Sequence, residues 1–404
     1  ISVNSILTCS HISGLDILKK HSAFIIKLSQ TNFTSVFITN ILSMTIKKRL
    51  KITFSILLSL LTFVLIYVAI PRVNNPDSEF QTELVYGKPV DKEIKDILTP
   101  KEEPERTRAI VILQNGKIIY EYGPTDKIMN TASIRKSILG ILYGIANDKS
   151  LVNINKTLDE LNIDESTPLT SQEKTATIEQ LLMFKSGIFL PSQGEHDSQI
   201  TDRPKRESYK PGDYFFSNNF DANALGTIFM QETGMSIGKF MEQYLAIPMG
   251  LQDFSEQNVI IGDPWFLQKQ ESKHKQYYIY LSTRDLARIG AMVANEGRWN
   301  GKQIVSKKWI TESTTSYSNL KENHINYGRY DGFGYQWWIS SDSKTVWADG
   351  YGERFLIVNP SQNLVLTEQN FTGNSFLTTG LWLINKNMDS GLGNLIKAHN
   401  IITE

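Results

Sequence analysis

The 404-residue sequence contains a single cysteine, Cys9. This excludes a disulfide framework within the chain, and it excludes a thiolate nucleophile or cysteine metal site after residue 9. The six histidines are scattered, without HExxH or other ligand spacing. No protein-built metal site is expected, and no metal or organic cofactor is implied. Net charge is absent as well, with 42 Lys and Arg against 42 Asp and Glu. A balanced chain has no electrostatic footprint for nucleic acid, so no nucleic-acid partner is expected. Internal repeats and low-complexity blocks are also lacking, which excludes solenoids and compositionally disordered chains.

One long apolar run is present. Ile52 to Ile70 carries no charge and is long enough to span a bilayer. Lys47, Lys48, Arg49 and Lys51 precede it, whereas Arg72, Asp77 and Glu79 follow. The positive-inside rule then places the N-terminal flank in the cytoplasm and the rest outside. The competing reading is a cleaved signal peptide, which would give a secreted protein. The run is long for one, and no A-x-A site follows it. The absence of cysteine after the run excludes a lipoprotein anchor. Residues 44–72 are therefore expected to form a signal anchor in the cytoplasmic membrane. The sequence opens on Ile1, and Met44 stands just before the basic cluster. Residues 1–43 are expected to be a non-native or disordered leader. Residues 73–106, rich in Asp, Glu, Lys, Pro and Asn, read as a polar tether, and residues 107–404 as the folded domain.

Within that domain, 108–114 and 117–122 flank Asn115-Gly116, a strong hairpin signal. Ile138, Leu139, Ile141, Leu142, Ile145 and Ala146 then form a broad apolar stripe at helical spacing. Residues 150–280 read as mainly helical or irregular. Thr177 and Gln180 form a capping box, and Ser236 and Ser282 read as helix N-caps. Ala224 to Thr233 is an apolar helical run closed by Gly234. Strands are expected at Gly334–Ile339, Thr345–Ala348, Phe355–Val358 and Leu364–Glu368, and a last helix from about Ser375 to Ala398. The fold class predicted is α+β: an antiparallel sheet assembled from both ends of the domain, flanked by helices, with an inserted, mainly helical lobe.

Three short motifs carry chemistry. Ser133-Ile-Arg-Lys136 opens the apolar helix, and a serine and lysine at i, i+3 share one helix face. The first helical turn adds unpaired N–H groups and the positive dipole end. A nucleophile, a base and oxyanion donors therefore meet within one turn, which suits acyl transfer. Ser171/Lys174, Ser236/Lys239 and Ser272/Lys275 have the same spacing and read as surface or capping pairs. The second motif is Ser217-Asn218-Asn219, after Pro211-Gly212. A hydroxyl there can relay a proton and an amide can hold a substrate carbonyl; the simpler alternative is a turn and a helix N-cap. The third is Trp347 to Phe355, a strand, a glycine turn and a strand, where Gly350 and Tyr351 can supply an oxyanion N–H or an ordinary hairpin.

Taken in order, these motifs resemble the serine β-lactamase and penicillin-binding protein superfamily. The closer resemblance is to the class C-like hydrolases that include 6-aminohexanoate-dimer hydrolase. Leu181-Leu-Met-Phe-Lys-Ser-Gly187, Ser217 to Gly226, Leu281 to Gly290 and Trp299 to Val305 support it, so the likeness covers about 105–390. It implies a serine β-lactamase-like fold and an amide- or ester-cleaving serine hydrolase with a small-molecule or peptide-like substrate. Ser133 would be the nucleophile and Lys136 the base, and Asn219 would orient the substrate. Ser217 would relay a proton, with Tyr277, Tyr278 or His274 as substitutes, although Tyr277 and Tyr278 read as core or cleft-wall residues and His274 as a surface residue. Two positions depart from the family pattern. Ser217 stands where class C-like members usually have tyrosine. Ala348-Asp349-Gly350 aligns with a triplet that usually begins with Lys or His, so the cation for a substrate carboxylate is missing. Arg354 could replace that charge, though it reads as a plain surface arginine. The alternative function is a catalytically silent domain that binds cell-wall fragments or a partner protein.

Overall fold

A computed structural model of the chain describes residues 46–69, 84–99, 108–262, 272–320, 328–342, 344–371 and 392–403. Two units are resolved, one ending at Ala69 and the other starting at Ile70. In the first, α1 (Ile46–Ala69) is a continuous helix, and its Lys51–Ala69 stretch is long and apolar enough to cross a membrane. Leu57, Leu61 and Leu65 are exposed along it. Residues 1–43 lie outside the described part.

The second unit is built on strands β1 (Arg108–Gln114), β2 (Lys117–Tyr122), β3 (Met129–Asn130), β4 (Val259–Ile261), β5 (Tyr277–Leu281), β6 (Arg298–Trp299), β7 (Lys302–Gln303), β8 (Tyr330–Phe333), β9 (Trp338–Ser340), β10 (Val346–Gly350), β11 (Arg354–Asn359) and β12 (Leu364–Asn370). Seven of them form one antiparallel sheet in the order β2-β1-β12-β11-β10-β9-β8. The first hairpin and the last strands thus share one sheet, as the sequence predicts. Asn115 and Gly116 both take positive φ (52° and 72°), the geometry that a two-residue hairpin turn requires. A smaller sheet, β3-β5-β4, lies outside that prediction. Residues 334–337, expected as strand, instead make the turn joining β8 to β9, closed by a 2.8 Å bond from Gly334 N–H to the Trp337 carbonyl.

The helices used below are α2 (Lys92–Leu98), α3 (Ile134–Asp148), α4 (Ile178–Leu182), α5 (Asp197–Thr201), α6 (Asn219–Thr233), α7 (Ile237–Met241), α8 (Thr283–Ala294), α9 (Lys307–Ser313) and α10 (Leu392–Thr403). The expected terminal helix is represented by α10; residues 375–391 lie outside the described part. Strand alternation separates two apolar layers. Val111, Leu113, Val346, Ala348, Leu356, Val358 and Val365 join the core that includes α3, α6 and α8. Ile110, Ile112, Trp347, Phe355, Ile357, Leu364 and Leu366 face the other way, toward α2 and α10. Because both faces are covered, apolar residues run consecutively through Ala109–Leu113, Phe355–Val358 and Leu364–Leu366.

Part of the expected tether is folded. Gly87 N–H donates to the Ile118 carbonyl at 2.8 Å, and Ile118 N–H donates to the Val85 carbonyl at 2.9 Å. Ile94 and Leu98, four apart, give the charged helix α2 a buried stripe against α10. The reading of 73–106 as tether is therefore corrected for residues 84–99.

Helix α3 is approached closely on two sides at glycines, by Trp309 of α9 at Gly144 and by the Tyr335 carbonyl at Gly140. Trp309 Nε1 donates to the Gly140 carbonyl at 3.0 Å, and a Cβ on Gly144 would lie 2.3 Å from the indole Cδ1. In an open helix, replacing Gly144 by alanine would gain about 1 kcal/mol in propensity. Here a branched side chain must displace a buried indole, at about 1–3 kcal/mol. Gly144→Val is expected to lower Tm by about 2–10 °C, read by near-ultraviolet circular dichroism of the detergent-solubilised chain. An unchanged Tm would contradict this account of the α3–α9 contact.

Candidate active site

The chain leaves β3 through Thr131, whose N–H and Oγ1 both bond to the Ile279 carbonyl, at 3.0 and 2.8 Å. Ala132 follows with φ 48°, a left-handed conformation that costs a non-glycine residue about 1–3 kcal/mol. Its N–H is held by Asn130 Oδ1 at 2.8 Å. The bend delivers Ser133, half-buried, to the residue just before α3. A serine in that place normally spends its oxygen on the amides of the first turn. Ser133 does not: its backbone is helical (φ −73°, ψ −12°) and its side chain makes no capping bond. Ser236 and Ser282 do cap, accepting from Lys239 N–H and Asp285 N–H. Among the spacing look-alikes, Ser272 is buried on Glu165 at 2.5 Å.

One turn on, Lys136 is buried, and its ammonium lies 5.3 Å from the centre of the Phe184 ring. Burial lowers its pKa to about 7, Arg135 pushes in the same direction and Asp221 opposes both. Asp221, on the first turn of α6, has no solvent exposure. Burial raises its carboxyl to about 7, against the stabilising bond from Ser186 Oγ at 2.6 Å. Lysine and carboxyl thus approach each other's protonation range. Arg135 leads away from the lysine: its guanidinium stacks over Tyr277 at 4.2 Å, with Asn223 Oδ1 at 3.5 Å.

The second motif has a divided role. Asn218 is the cap of α6, accepting from Asp221 N–H at 2.8 Å, as the simpler reading of this stretch expects. Asn219 is buried and its amide donates to the Gly194 carbonyl. The Ser217 carbonyl accepts from Gln199 Nε2 at 3.1 Å, and its hydroxyl makes no hydrogen bond among the described residues. Neither Ser217 nor Asn219 is hydrogen-bonded to Ser133 or Lys136. From α6 it is the Asp221 charge that acts on the lysine, raising its pKa; the sequence reading missed Asp221 because an acidic residue in a first helical turn is ordinary.

The third motif meets the two residues that precede Ser133. A Cβ on Gly350 would stand 2.8 Å from the Thr131 carbonyl and 3.3 Å from Ala132 Cβ. The end of β10 therefore lies against the two residues that deliver the serine, a contact only glycine permits. Ala348 is buried on the α3 side of the sheet. Asp349 faces the other side, where it accepts from the Tyr330 hydroxyl at 2.8 Å and pairs with Arg329 at 3.4 Å. Tyr351 is exposed at the hairpin turn.

Two surroundings, those of Arg354 and His274, differ from the sequence reading, while Tyr277 and Tyr278 match theirs. Arg354 is 2% exposed, not a surface residue. It donates to the Tyr351 and Gly352 carbonyls, and burial lowers its pKa to about 10. His274 is also buried, edge-on to Phe220 and 3.1 Å from Thr227 Oγ1. Tyr277 is core, pressed against α6 where a Cβ on Gly226 would be 2.8 Å from its ring. Tyr278 is half-buried, bonded to Gln276 at 3.1 Å.

Comparison with known proteins places this geometry. Residues 101–367 match the family model described as Beta-lactamase. An uncharacterized protein of Alkalihalophilus pseudofirmus is 24% identical over 211 residues, 49% of this chain and 58% of that protein. The chain thus spans less than two thirds of that curated relative. Among solved structures, a Bacillus anthracis protein named for 6-aminohexanoate-dimer hydrolase superposes with a TM-score of 0.54 at 17% identity, over 83% of this chain and 94% of that one. A family VIII carboxylesterase gives 0.55 at 16% identity, over 78% and 99%. At such identities the structural likeness speaks for the fold. The family model covers well over half the sequence, and with the antiparallel sheet and flanking helices it establishes that the chain belongs to the beta-lactamase family, within the serine β-lactamase and penicillin-binding protein superfamily.

Proposed function

We propose that the chain is an SxxK serine hydrolase that cleaves an amide or ester through an acyl-enzyme on Ser133. The observation that carries this reading is a serine whose hydroxyl is not spent on capping, one helical turn from a lysine brought to about pH 7 by burial. In acylation, neutral Lys136 takes the Ser133 proton as Oγ bonds to the carbonyl carbon, and the proton then passes to the leaving group. The Ser133 N–H and the N–H of Tyr351, beyond Gly350, are the proposed oxyanion donors. Asn219 holds the 194 loop against the site and orients substrate through it, while Ser217 is a proton relay. Arg354 braces the β10–β11 turn through the Tyr351 carbonyl. Helix α1, with Lys48 and Lys51 at its start, would anchor the chain in the cytoplasmic membrane with the domain outside.

The direct test is a fluorophosphonate probe. The native chain is expected to label at Ser133, and Ser133→Ala to lose both labelling and turnover while keeping its fold. Absence of labelling in the native chain would favour a silent binding domain.

Lys136 sets the pH dependence. The base is the neutral amine, so kcat/KM is expected to fall about tenfold per unit below pH 7 and to level off above it. Asp221 raises the lysine pKa, so Asp221→Asn should move this limb to lower pH. Arginine stays protonated, and Lys136→Arg should cost about 10²–10⁴-fold, nearly as much as alanine. A Lys136→Arg protein that kept most of its activity would reduce the lysine to an electrostatic group.

Specificity follows from Ala348. A cation–carboxylate contact in a partly desolvated cleft is worth about 1.5–3 kcal/mol, or roughly tenfold to more than hundredfold in rate. Neutral short-chain esters or amides are expected to exceed penicillins in kcat/KM by at least that margin, and Ala348→Lys to narrow the gap. Efficient penicillin hydrolysis by the native chain would overturn this and point to Arg354 as the carboxylate partner.

A further inference from the structure

A buried carboxylate and a buried histidine pack against the start of α6, and the acyl transfer described above uses neither. Glu165 is 4% exposed. Its Oε1 accepts from the Ser166 N–H at 2.6 Å and the Lys273 N–H at 2.7 Å, and its Oε2 accepts from the Ser272 hydroxyl at 2.5 Å. Ser272 Oγ in turn accepts from the His274 N–H at 3.1 Å. Residues 272–274 are thereby tied to the 164–166 loop. On its other side the same segment holds α6. The His274 ring stands edge-on to Phe220, with ring centres 5.6 Å apart, and its Nδ1 lies 3.1 Å from Thr227 Oγ1. Gln276 N–H donates to Gln193 Oε1 at 3.2 Å, and the Gln193 carbonyl accepts from Asn223 Nδ2 at 3.0 Å. Phe220 sits between Asn219 and Asp221, so the clamp acts on the turn that carries both.

The His274 ring is 2% exposed, and its Nε2 is buried with no hydrogen-bond partner among the described residues. The Thr227 hydroxyl donates to the Asn223 carbonyl at 3.4 Å, which leaves Nδ1–H as the donor to Thr227 and Nε2 as the bare nitrogen. A lone pair in that place is tolerable. A second proton would create a charged N–H without an acceptor in the core, which is far more expensive. The charges around the ring are Glu165 and Asp164 on the loop side and Lys273 on its own segment. Helix α6 presents the neutral Phe220 and Thr227, and its Asp221 is bonded to Ser186. Burial holds the imidazole pKa below the usual histidine range; Glu165 and Asp164 oppose the shift and Lys273 adds to it. The Glu165 carboxyl, although burial pushes it up, is kept below its usual range by the bonds from Lys273, Ser272 and Ser166.

We propose that Glu165, Ser272 and His274 form an acid-sensitive latch, which holds the start of α6 while the imidazole is neutral and releases it when the ring is protonated. A released histidine titrates near its ordinary value of about 6.5. Below that pH the open state binds the extra proton and the closed state does not. The latch is therefore complete above about pH 6.5 and weakens as the pH falls, by up to about thirtyfold in the closed-to-open ratio at pH 5. Its consequence for catalysis rests on the serine-hydrolase reading above: release disturbs the turn that carries Asn219 and Asp221, so turnover is shut down in acid. The latch itself is observable without turnover.

The experiment is hydrogen–deuterium exchange of the full detergent-solubilised chain at pH 7.5 and pH 5, corrected for the intrinsic exchange rate. The native chain is expected to lose about tenfold or more of its protection over 219–227 at pH 5, to regain it on return to pH 7.5, and to keep the protection of β1 and β12. His274→Asn and His274→Gln cannot take up the proton and are expected to hold their protection within about threefold. Asp221 titrates in the same turn, and the comparison of native chain with variants separates its contribution. Unchanged native protection at pH 5, or an equal loss in the variants, would overturn the latch. Variants already unprotected over 219–227 at pH 7.5 would make His274 a packing residue and overturn it as well. Fluorophosphonate labelling at pH 7.5 tests the catalytic reading separately. A native chain that shows the exchange change without labelling would keep the latch and remove only its catalytic consequence.

Discussion

The burial of Lys136 within the field of the buried Asp221 is the constraint around which the candidate site is arranged. Both groups lie in an apolar layer, where an isolated charge is expensive. Desolvation moves each toward its neutral form, and each charge opposes the shift of the other. The ammonium and carboxylate therefore stay close in energy to the amine and carboxyl, and a proton can be taken up or released near pH 7 at little cost. Much of the surrounding structure serves that balance. Ser186 steadies the carboxyl, Asn218 fixes the first turn of α6, and Arg135 is turned away onto Tyr277. A full carboxylate in direct contact would hold the lysine protonated; an apolar neighbour would leave it a weaker base.

A second constraint is steric. The close approach of Gly350 to Thr131 and Ala132 fixes the end of the sheet against the residues that deliver Ser133. This contact joins parts of the chain more than two hundred residues apart, so the site exists only when the sheet built from both ends of the domain has closed. The strained φ of Ala132 depends on the same closure. Thr131 is anchored to β5 on one side and approached by β10 on the other, which leaves the intervening residue no relaxed alternative. The missing capping bond of Ser133 follows from the same bend.

The departures from the family pattern form a consistent set. With Ala348 in place of a cation, no positive charge from that position faces a substrate carboxylate. The buried Arg354 contributes to the hairpin turn through backbone carbonyls. With serine in place of tyrosine at the second motif, the phenolic group is absent. Each change removes an ionisable or charged group from one position of the candidate site, which is the basis of the proposed preference for neutral acyl substrates.

The sequence by itself determined what depends on neighbours along the chain. The Asn115-Gly116 hairpin, the α3 stripe, the Thr177 capping box, the Ser236 and Ser282 caps and the Gly234 stop follow from local geometry and periodicity, and the structure contains each of them. The order of the three motifs was sufficient for the fold, because a sheet built from both ends of the domain was legible in the strand pattern. Tertiary structure decided what depends on burial. It drew Arg354 and His274 inside, folded residues 84–99 onto the sheet and paired β3 with β5, whose partners are distant in sequence. It also separated Ser133, whose hydroxyl is not used in capping, from serines of identical spacing, and buried the lysine within the field of Asp221. Desolvation and long-range contacts act on atoms brought together only by the closed fold, so local spacing carries no record of them.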